Sequence, residues 1–305
     1  MVILTSGSNQ VLIKMKIGID IGATKIESVI LKKNGDEIER SRIPCPKSYK
    51  KIIKDVSKIV FSLDRKYKKK FQVGVCHPGS IDYKTGLLKN SVNAKQLNNK
   101  KLNIDLSKAL KRNIKCENDA NCFALSEAID GAAKNYNVVF GIIIGSGTGG
   151  GIVINKKILK GANYISGEWG HLPLPIFGNL NDKKYIKKKI SLMQIQKFTS
   201  GKGLEKLYHK KITAREIFNK SDKFTKSIFI KHFKIRLARA LVNLIYTIDP
   251  DVFVFGGGLS NEISSLNELK KMVTKNMEIK HINTKFLKAK YGDASGVRGA
   301  ARLNY

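Results

Sequence analysis

The chain has 305 residues, 42% hydrophobic and 8% aromatic, enough for one large or two ordinary domains with real cores. Its formal charge of +33 comes from 57 Lys+Arg against 24 Asp+Glu, but the lysines are spread over almost the whole chain and travel with asparagines and isoleucines. That is the pattern of AT-rich codon usage rather than of a nucleic-acid-binding face, so no nucleic-acid partner is expected. No apolar run approaches the ~18 residues of a membrane span. Met1–Lys14 has neither a basic n-region nor a long apolar h-region, which argues against a secretory signal. The cysteines Cys45, Cys76, Cys116 and Cys122 form no C-x-x-C pair and fit small buried residues in a reducing cytoplasm.

Met15 directly precedes the first strand, and residues 1–14 are read as a disordered extension or a mis-called start. Lys16–Ile21 alternates as a strand and turns at Gly22-Ala23. Glu27–Lys32 and Ile38–Pro44 continue a meander, joined at the hairpin dipeptide Asn34-Gly35. Tyr49–Tyr67 has helical apolar spacing, Phe71–Cys76 is a strand closed by Pro78-Gly79, and Leu106–Arg112 is a short helix. Ile114–Cys116 is the strand that delivers Glu117-Asn118-Asp119, and Ala120–Ala133 is a helix of small and apolar residues. The pattern then restarts with Val138–Ile144, a glycine-rich turn, and short strands Ile152–Ile154 and Ile158–Lys160. A glycine turn inside a meander thus occurs twice, about 125 residues apart, which suggests a structural repeat. Phe224–Ile248 is a long amphipathic helix, Val252–Phe255 a strand entering Gly256-Gly257-Gly258, Ile263–Met277 a helix, Phe286–Lys290 a strand and Ser295–Leu303 a terminal helix.

Two turns carry the chemistry. The first, Gly18-Ile-Asp20-Ile-Gly22-Ala-Thr24-Lys25, lacks the spacing of a Walker loop and is followed by a strand. It presents backbone donors, the Thr24 hydroxyl and the Lys25 charge to phosphates, with Asp20 placed to hold water or Mg²⁺; an ordinary hairpin with a surface lysine explains it equally well. The second, Gly145–Gly151, has five glycines in seven positions, more than a plain turn needs, as expected where a ligand approaches the backbone. Asp119, after a strand and opening a helix, is either a helix cap or a base that accepts a proton from an attacking hydroxyl, with Asn118 orienting the substrate. Glu168 and His171 lie three apart in a glycine-flanked segment beside Trp169, placed to face a polyhydroxylated ligand. Gly256–Gly258 alone is a weak signal.

Together these blocks resemble the ROK family of sugar kinases, within the actin–hexokinase fold group, from Met15 to Leu303. The resemblance rests on Gly18–Lys25, Pro78-Gly-Ser80, Glu117–Asn121 with Glu127-Ala128, Gly145–Gly151, Gly167–Pro175 and Asp249–Gly258. The run Glu168–Pro175 and the tail Lys288–Ala301 look most like the manno/fructokinase branch. The resemblance implies an α/β fold of two lobes, each with a mixed sheet, and a nucleotide cleft between them: residues 15–118 plus 290–305 as the N-terminal lobe, 119–289 as the C-terminal lobe. It implies ATP- and Mg²⁺-dependent phosphorylation of a hexose, fructose or mannose first, at O6, by a cytoplasmic protein in a family where homodimers are usual. Asp20, Gly22, Thr24 and Lys25 match the first phosphate loop, Gly145, Gly147, Thr148 and Gly149 the second, and Gly256, Gly257 and Gly258 the adenosine site. Asp119 matches the catalytic base; Asn93, Asn118, Glu168 and His171 match sugar contacts.

Several residues depart from the family pattern. Family members follow the Glu-x-Gly-His segment with a cysteine cluster that binds structural zinc together with that histidine; Lys187–Gly201 has no cysteine, so no structural zinc is expected. Gln196 stands where an acidic sugar contact is usual, Ala23 replaces a glycine, and His77 takes a position that is usually apolar. The alternatives are a kinase for glucose, N-acetylglucosamine or N-acetylmannosamine and, in another class, a non-catalytic sugar-binding regulator. DNA-binding relatives carry an N-terminal helix-turn-helix of about 60 or more residues, whereas 14 residues precede Met15 and the first strand here.

Overall fold

The computed structural model describes residues 15–82, 84–175, 193–208, 213–220 and 223–303, so the reading of residues 1–14 lies outside it. The described chain divides into two compact units. The first holds the residues up to Gly131, the stretch Lys160–Ile165 and the residues from Ala294; the second holds Ala132–Leu159 and Ser166–Asp293.

In chain order, the first unit has β1 (Lys16–Ile21), β2 (Lys25–Leu31), β3 (Glu37–Pro44), α1 (Tyr49–Lys66), β4 (Gln72–His77), β5 (Ser80–Ile81), β6 (Leu88–Lys89), α2 (Leu102–Leu110), β7 (Ile114–Asn118) and α3 (Asp119–Ile129). Its five-stranded sheet runs β3-β2-β1-β4-β7. β1 to β3 pair antiparallel as a meander, while β4 lies parallel to both β1 and β7. α1 buries Ile52, Val56, Val60 and Leu63 against this sheet, the face its sequence spacing sets.

The second unit has β8 (Val138–Ile144), β9 (Thr148–Ile154), β10 (Lys157–Ile158), α4 (Gln196–Thr199), α5 (Gly201–Tyr208), α6 (Ala214–Lys220), α7 (Lys223–Ile248), β11 (Val252–Gly256), α8 (Leu266–Lys275) and β12 (Lys285–Lys288). Its sheet runs β10-β9-β8-β11-β12, again three antiparallel strands followed by two parallel ones. The core beneath it is aromatic: Phe140, Trp169, Phe253, Phe255 and Phe286 sit with ring centroids 5.4–6.4 Å apart. No described helix is long and apolar enough to cross a membrane.

The last helix, α9 (Ser295–Arg302), belongs to the first unit and explains its own composition. A Cβ on Gly18 of β1 would stand 2.0 Å from the Val297 carbonyl, and one on Gly299 would stand 1.8 Å from the Cys122 carbonyl of α3. The helix therefore lies between sheet and α3 at a spacing only glycine permits. Arg302 is fully buried, donating to the Lys33 carbonyl at 3.0 Å and pairing with Asp130; Arg298 donates to the Gly35 carbonyl at 2.7 Å.

The expected lobe boundary after Asn118 moves to Gly131, because α3 packs against α9 and is buried along almost its whole length. Lys160–Ile165 also joins the first unit, which the sequence reading did not foresee. The second glycine turn is shorter than expected. Only residues 145–147 form it; Thr148–Gly151 already belong to β9, with Gly149 opposite Ile143 and Gly151 opposite Gly141.

Candidate functional site

In the first unit, the chemistry collects at the carboxyl ends of β1, β4 and β7. β1 delivers Asp20, and the turn after it is closed by a Gly22 N–H donating to the Lys25 carbonyl at 2.9 Å. Parallel register sets Cys76 of β4 opposite Asp20. Burial pushes the Asp20 carboxyl above its usual range; the thiol pulls in the opposite direction without cancelling it. Thr24 is exposed at the turn, and its carbonyl accepts from the Cys45 N–H.

Lys25 is engaged. Its Nζ lies 3.0 Å from Glu27 Oε2, and Arg40 and Arg42 reach the same carboxylate at 3.0 and 2.9 Å. Burial alone would raise Glu27; Lys25 and Arg42 outweigh it and hold the carboxyl below its ordinary range. Arg40 is shared with Glu37 at 2.6 Å, so three cations meet two carboxylates and leave the start of β2 with one excess positive charge, Lys25 held rather than swinging in solvent.

β7 hands over to α3 through Glu117-Asn118-Asp119. Asn118, not Asp119, is the N-cap: its Oδ1 accepts from Ala120 N–H at 2.8 Å and Asn121 N–H at 3.3 Å. Its Nδ2 donates to the Gly79 carbonyl at 2.9 Å, which leaves one amide hydrogen for a ligand. Asp119 becomes the first residue of α3, exposed, with Oδ1 2.9 Å from Ala120 N. Glu117 Oε1 accepts from the Asn118 N–H at 3.0 Å and from Asn121 Nδ2 at 3.1 Å, while Oε2 pairs with Lys160 Nζ at 3.0 Å. Asn93 is exposed on the loop after β6. The sequence reading gave no role to Glu117, Cys76 or Lys160. Glu117 stood inside a quoted motif, whereas Cys76 and Lys160 become visible only through strand register and the long-range fold.

In the second unit, the turn between β8 and β9 is closed by Gly145 N–H donating to the Gly147 carbonyl at 2.9 Å. Its other carbonyls are held from the start of α5: Gly201 N–H donates to Gly145 at 2.8 Å and Lys202 N–H to Ser146 at 3.3 Å. A Cβ on Gly145 or Gly147 would meet nothing within 4 Å, so packing does not demand glycine at either position. Gly257 differs: it has φ +82°, and a Cβ there would lie 2.6 Å from the Ile144 carbonyl. Its glycine is explained by the backbone, while Gly258 is open. Gly256 ends β11, and the Gly149 carbonyl accepts from Trp169 Nε1 at 2.9 Å.

Thr148 turns inward. It is buried, and its hydroxyl sits 3.0 Å from the Thr199 hydroxyl, which itself donates to the Ile195 carbonyl. The Thr148 proton is therefore spent on Thr199, and the side chain holds α4 against the turn.

Glu168 and His171 do come together, with Oε2 and Nε2 3.5 Å apart. The other ring nitrogen, Nδ1, faces the amides of Gln194 at 3.3 Å and Gln196 at 3.4 Å. A neutral imidazole accepting at Nδ1 and donating from Nε2 towards Glu168 satisfies both contacts. Backbone bonds from Leu174 N to Met193 O and from Ile195 N to Leu172 O, both 2.8 Å, hold the two chain segments together. A zinc site does not fit these residues. Between His171 and Gln196 the sequence has neither cysteine nor histidine, and all four cysteines belong to the first unit. Residues 176–192 of that stretch lie outside the described residues.

The ROK family pattern matches residues 16–304 of the chain. The N-acetyl-D-glucosamine kinase of Mannheimia succiniciproducens is 37% identical over 306 residues, covering 95% of this chain and 99% of that protein. The N-acetyl-D-glucosamine kinase of Escherichia coli O127:H6 is 33% identical over 302 residues, with 95% and 99% covered. Among solved structures, the ROK hexokinase from Thermus thermophilus has a TM-score of 0.77 at 22% identity, over 94% of this chain and 96% of that one. A ROK family glucokinase from Streptomyces griseus in complex with glucose and AMPPNP has a TM-score of 0.73 at 22% identity, over 95% and 98%. These structures share the α/β fold of the actin–hexokinase group with the chain described above.

Proposed function

The chain belongs to the ROK family, and on that premise we propose that it is an ATP-dependent hexosamine kinase that phosphorylates N-acetyl-D-glucosamine at O6. The observation that carries this reading is near-full-length identity of 33–37% to proteins of that activity. These relatives favour N-acetylglucosamine over the fructose or mannose expected from the Glu168–Pro175 and Lys288–Ala301 resemblances.

In this reading each unit carries part of the machinery. Asp119 accepts the proton of the acceptor hydroxyl as its oxygen attacks the γ-phosphorus and the bond from that phosphorus to ADP breaks. Its place at the exposed first position of α3, with Asn118 filling the N-cap, supports the role. Asn118 turns its remaining amide hydrogen towards the sugar. The β1–β2 turn and the electropositive start of β2 receive phosphate oxygens. In the second unit, the unfilled space over Gly145 and Gly147 lets phosphate reach the backbone, and Glu168, oriented by His171, binds sugar hydroxyls.

Asp20, at the carboxyl end of β1 beside the turn that would receive phosphate, is the residue that would hold Mg²⁺, with substrate phosphates and water supplying the remaining oxygens. When bound, the ion neutralises charge on the transferring phosphoryl group.

The test is a coupled ADP-release assay with ATP over N-acetylglucosamine, N-acetylmannosamine, glucose, fructose and mannose. The expected result is a kcat/KM for N-acetylglucosamine about tenfold or more above that for fructose and mannose. Equal or better turnover of fructose or mannose would overturn the substrate assignment. Phosphorylation of none of the five would overturn the kinase reading.

A further inference from the structure

Glu117 is a nearly buried carboxylate, its side chain 11% exposed, placed immediately before the α3 cap. Its Oε1 brackets Asp119, accepting from the Asn118 backbone on one side and the Asn121 side chain on the other. A carboxylate so withdrawn from water needs a cation, and Lys160 supplies it at 3.0 Å. Lys160 comes from an unrelated stretch of sequence. It follows β10 and opens the segment Lys160–Ile165, whose backbone then leads into Gly167–His171. The ammonium also stands 5.6 Å over the Tyr164 ring, so both ends of that segment converge on the same charge.

Lys160 is itself half-exposed, and its contact does more than neutralise Glu117. We propose that Lys160 is a positioning residue: through Glu117 it fixes the start of α3 and hence the direction of the Asp119 carboxylate. The stretch leading to Glu168 and His171 is tied to the base-bearing helix by the same contact. This rests on the reading of Asp119 as the base. Lys160 touches no reacting atom; removing its charge frees Glu117 Oε2, lets the carboxylate rotate towards water and loosens both Oε1 contacts.

The experiment compares Lys160→Met, which keeps the apolar stem, and Lys160→Arg, which keeps the charge. Both are measured by steady-state kinetics with N-acetylglucosamine and ATP and by hydrogen–deuterium exchange over residues 117–124. The expected result for Lys160→Met is a kcat lower by about tenfold, with KM for ATP within about twofold of the parent. The amides at the start of α3 should exchange about threefold faster. Lys160→Arg should restore both readouts. A Lys160→Met protein with parental kcat overturns the proposal, and faster exchange alongside it would leave Lys160 as a strut without catalytic consequence. An Arg variant as impaired as Met also overturns it. If the parent phosphorylates no hexose, the functional reading has failed, and the exchange comparison still decides whether Lys160 holds the helix start.

Discussion

The two units share a strand order but are built from different materials. In the first, the sheet β3-β2-β1-β4-β7 is overlaid by charge: Glu27 beneath Lys25, Arg40 and Arg42, and Arg298 and Arg302 clasping Asp130. In the second, β10-β9-β8-β11-β12 rests on interlocked aromatic rings, and its hairpin turn carries no charged side chain. Both sheets pack on apolar cores, aliphatic in the first unit and rich in aromatic rings in the second, and the distinguishing chemistry sits at the strand ends. The first unit offers acids and cations there; the second offers bare backbone. Glycines that the fold does not require are the more informative ones, because packing gives no reason for them.

The sharpest way to break this division of labour is at Asp119. Asp119→Asn should lower kcat by about 10²–10⁴ with KM for ATP and thermal stability nearly unchanged, as measured by the coupled assay and calorimetry. Full activity in that variant would remove the base from the first unit.

The charged overlay of the first unit is tested next. Glu27→Gln leaves three cations around a neutral, buried group and should destabilise by about 2–4 kcal/mol in denaturant titration. The sign with pH follows from its depressed carboxyl. The Glu27 contribution is present above the ordinary value of 4.5 and fades as pH falls through the lower native value, so parent and variant should converge in acid.

A paired substitution contrasts the glycines of the second unit. Gly257→Ala should cost about 1–3 kcal/mol of stability, since both its φ of +82° and the Ile144 carbonyl oppose a side chain. Gly145→Ala should leave stability intact and raise KM for ATP about tenfold. If the two swap outcomes, the distinction between packing glycines and ligand glycines is wrong.

The smallest expected effect is at Asp20. Because burial raises its carboxyl, the ionised form weakens the fold at neutral pH, and Asp20→Asn should raise Tm by about 1–3 °C. That gain should vanish as pH falls below the ordinary 3.8, where the parent is protonated in both states. A Tm unchanged or lowered at pH 7 would sink the account of a strained carboxylate.

Much of this was legible in the sequence, for local reasons. Strand alternation at Lys16–Ile21 and helical spacing at Ile52, Val56 and Val60 follow from side-chain periodicity. The acid block at 117–119 was visible because a strand must hand over to a helix through capping residues, although choosing Asn118 over Asp119 as the cap needed coordinates. The extent of the glycine turn was misjudged because glycine lacks strand propensity. Only the pairing with β8 shows Thr148–Gly151 as strand. Thr148, Cys76 and Lys160 acquire meaning from partners distant in sequence or across the sheet, which no local pattern encodes.

The seating of α9 against Gly18 has a consequence for biosynthesis. A nascent chain exposes β1 at the outset, yet the helix that covers it leaves the ribosome after every residue of the second unit has been made. The aromatic-cored unit can thus mature while its neighbour still waits with an uncovered apolar floor, and conditions that slow translation of the α9 codons should lengthen the window for chaperone capture or aggregation.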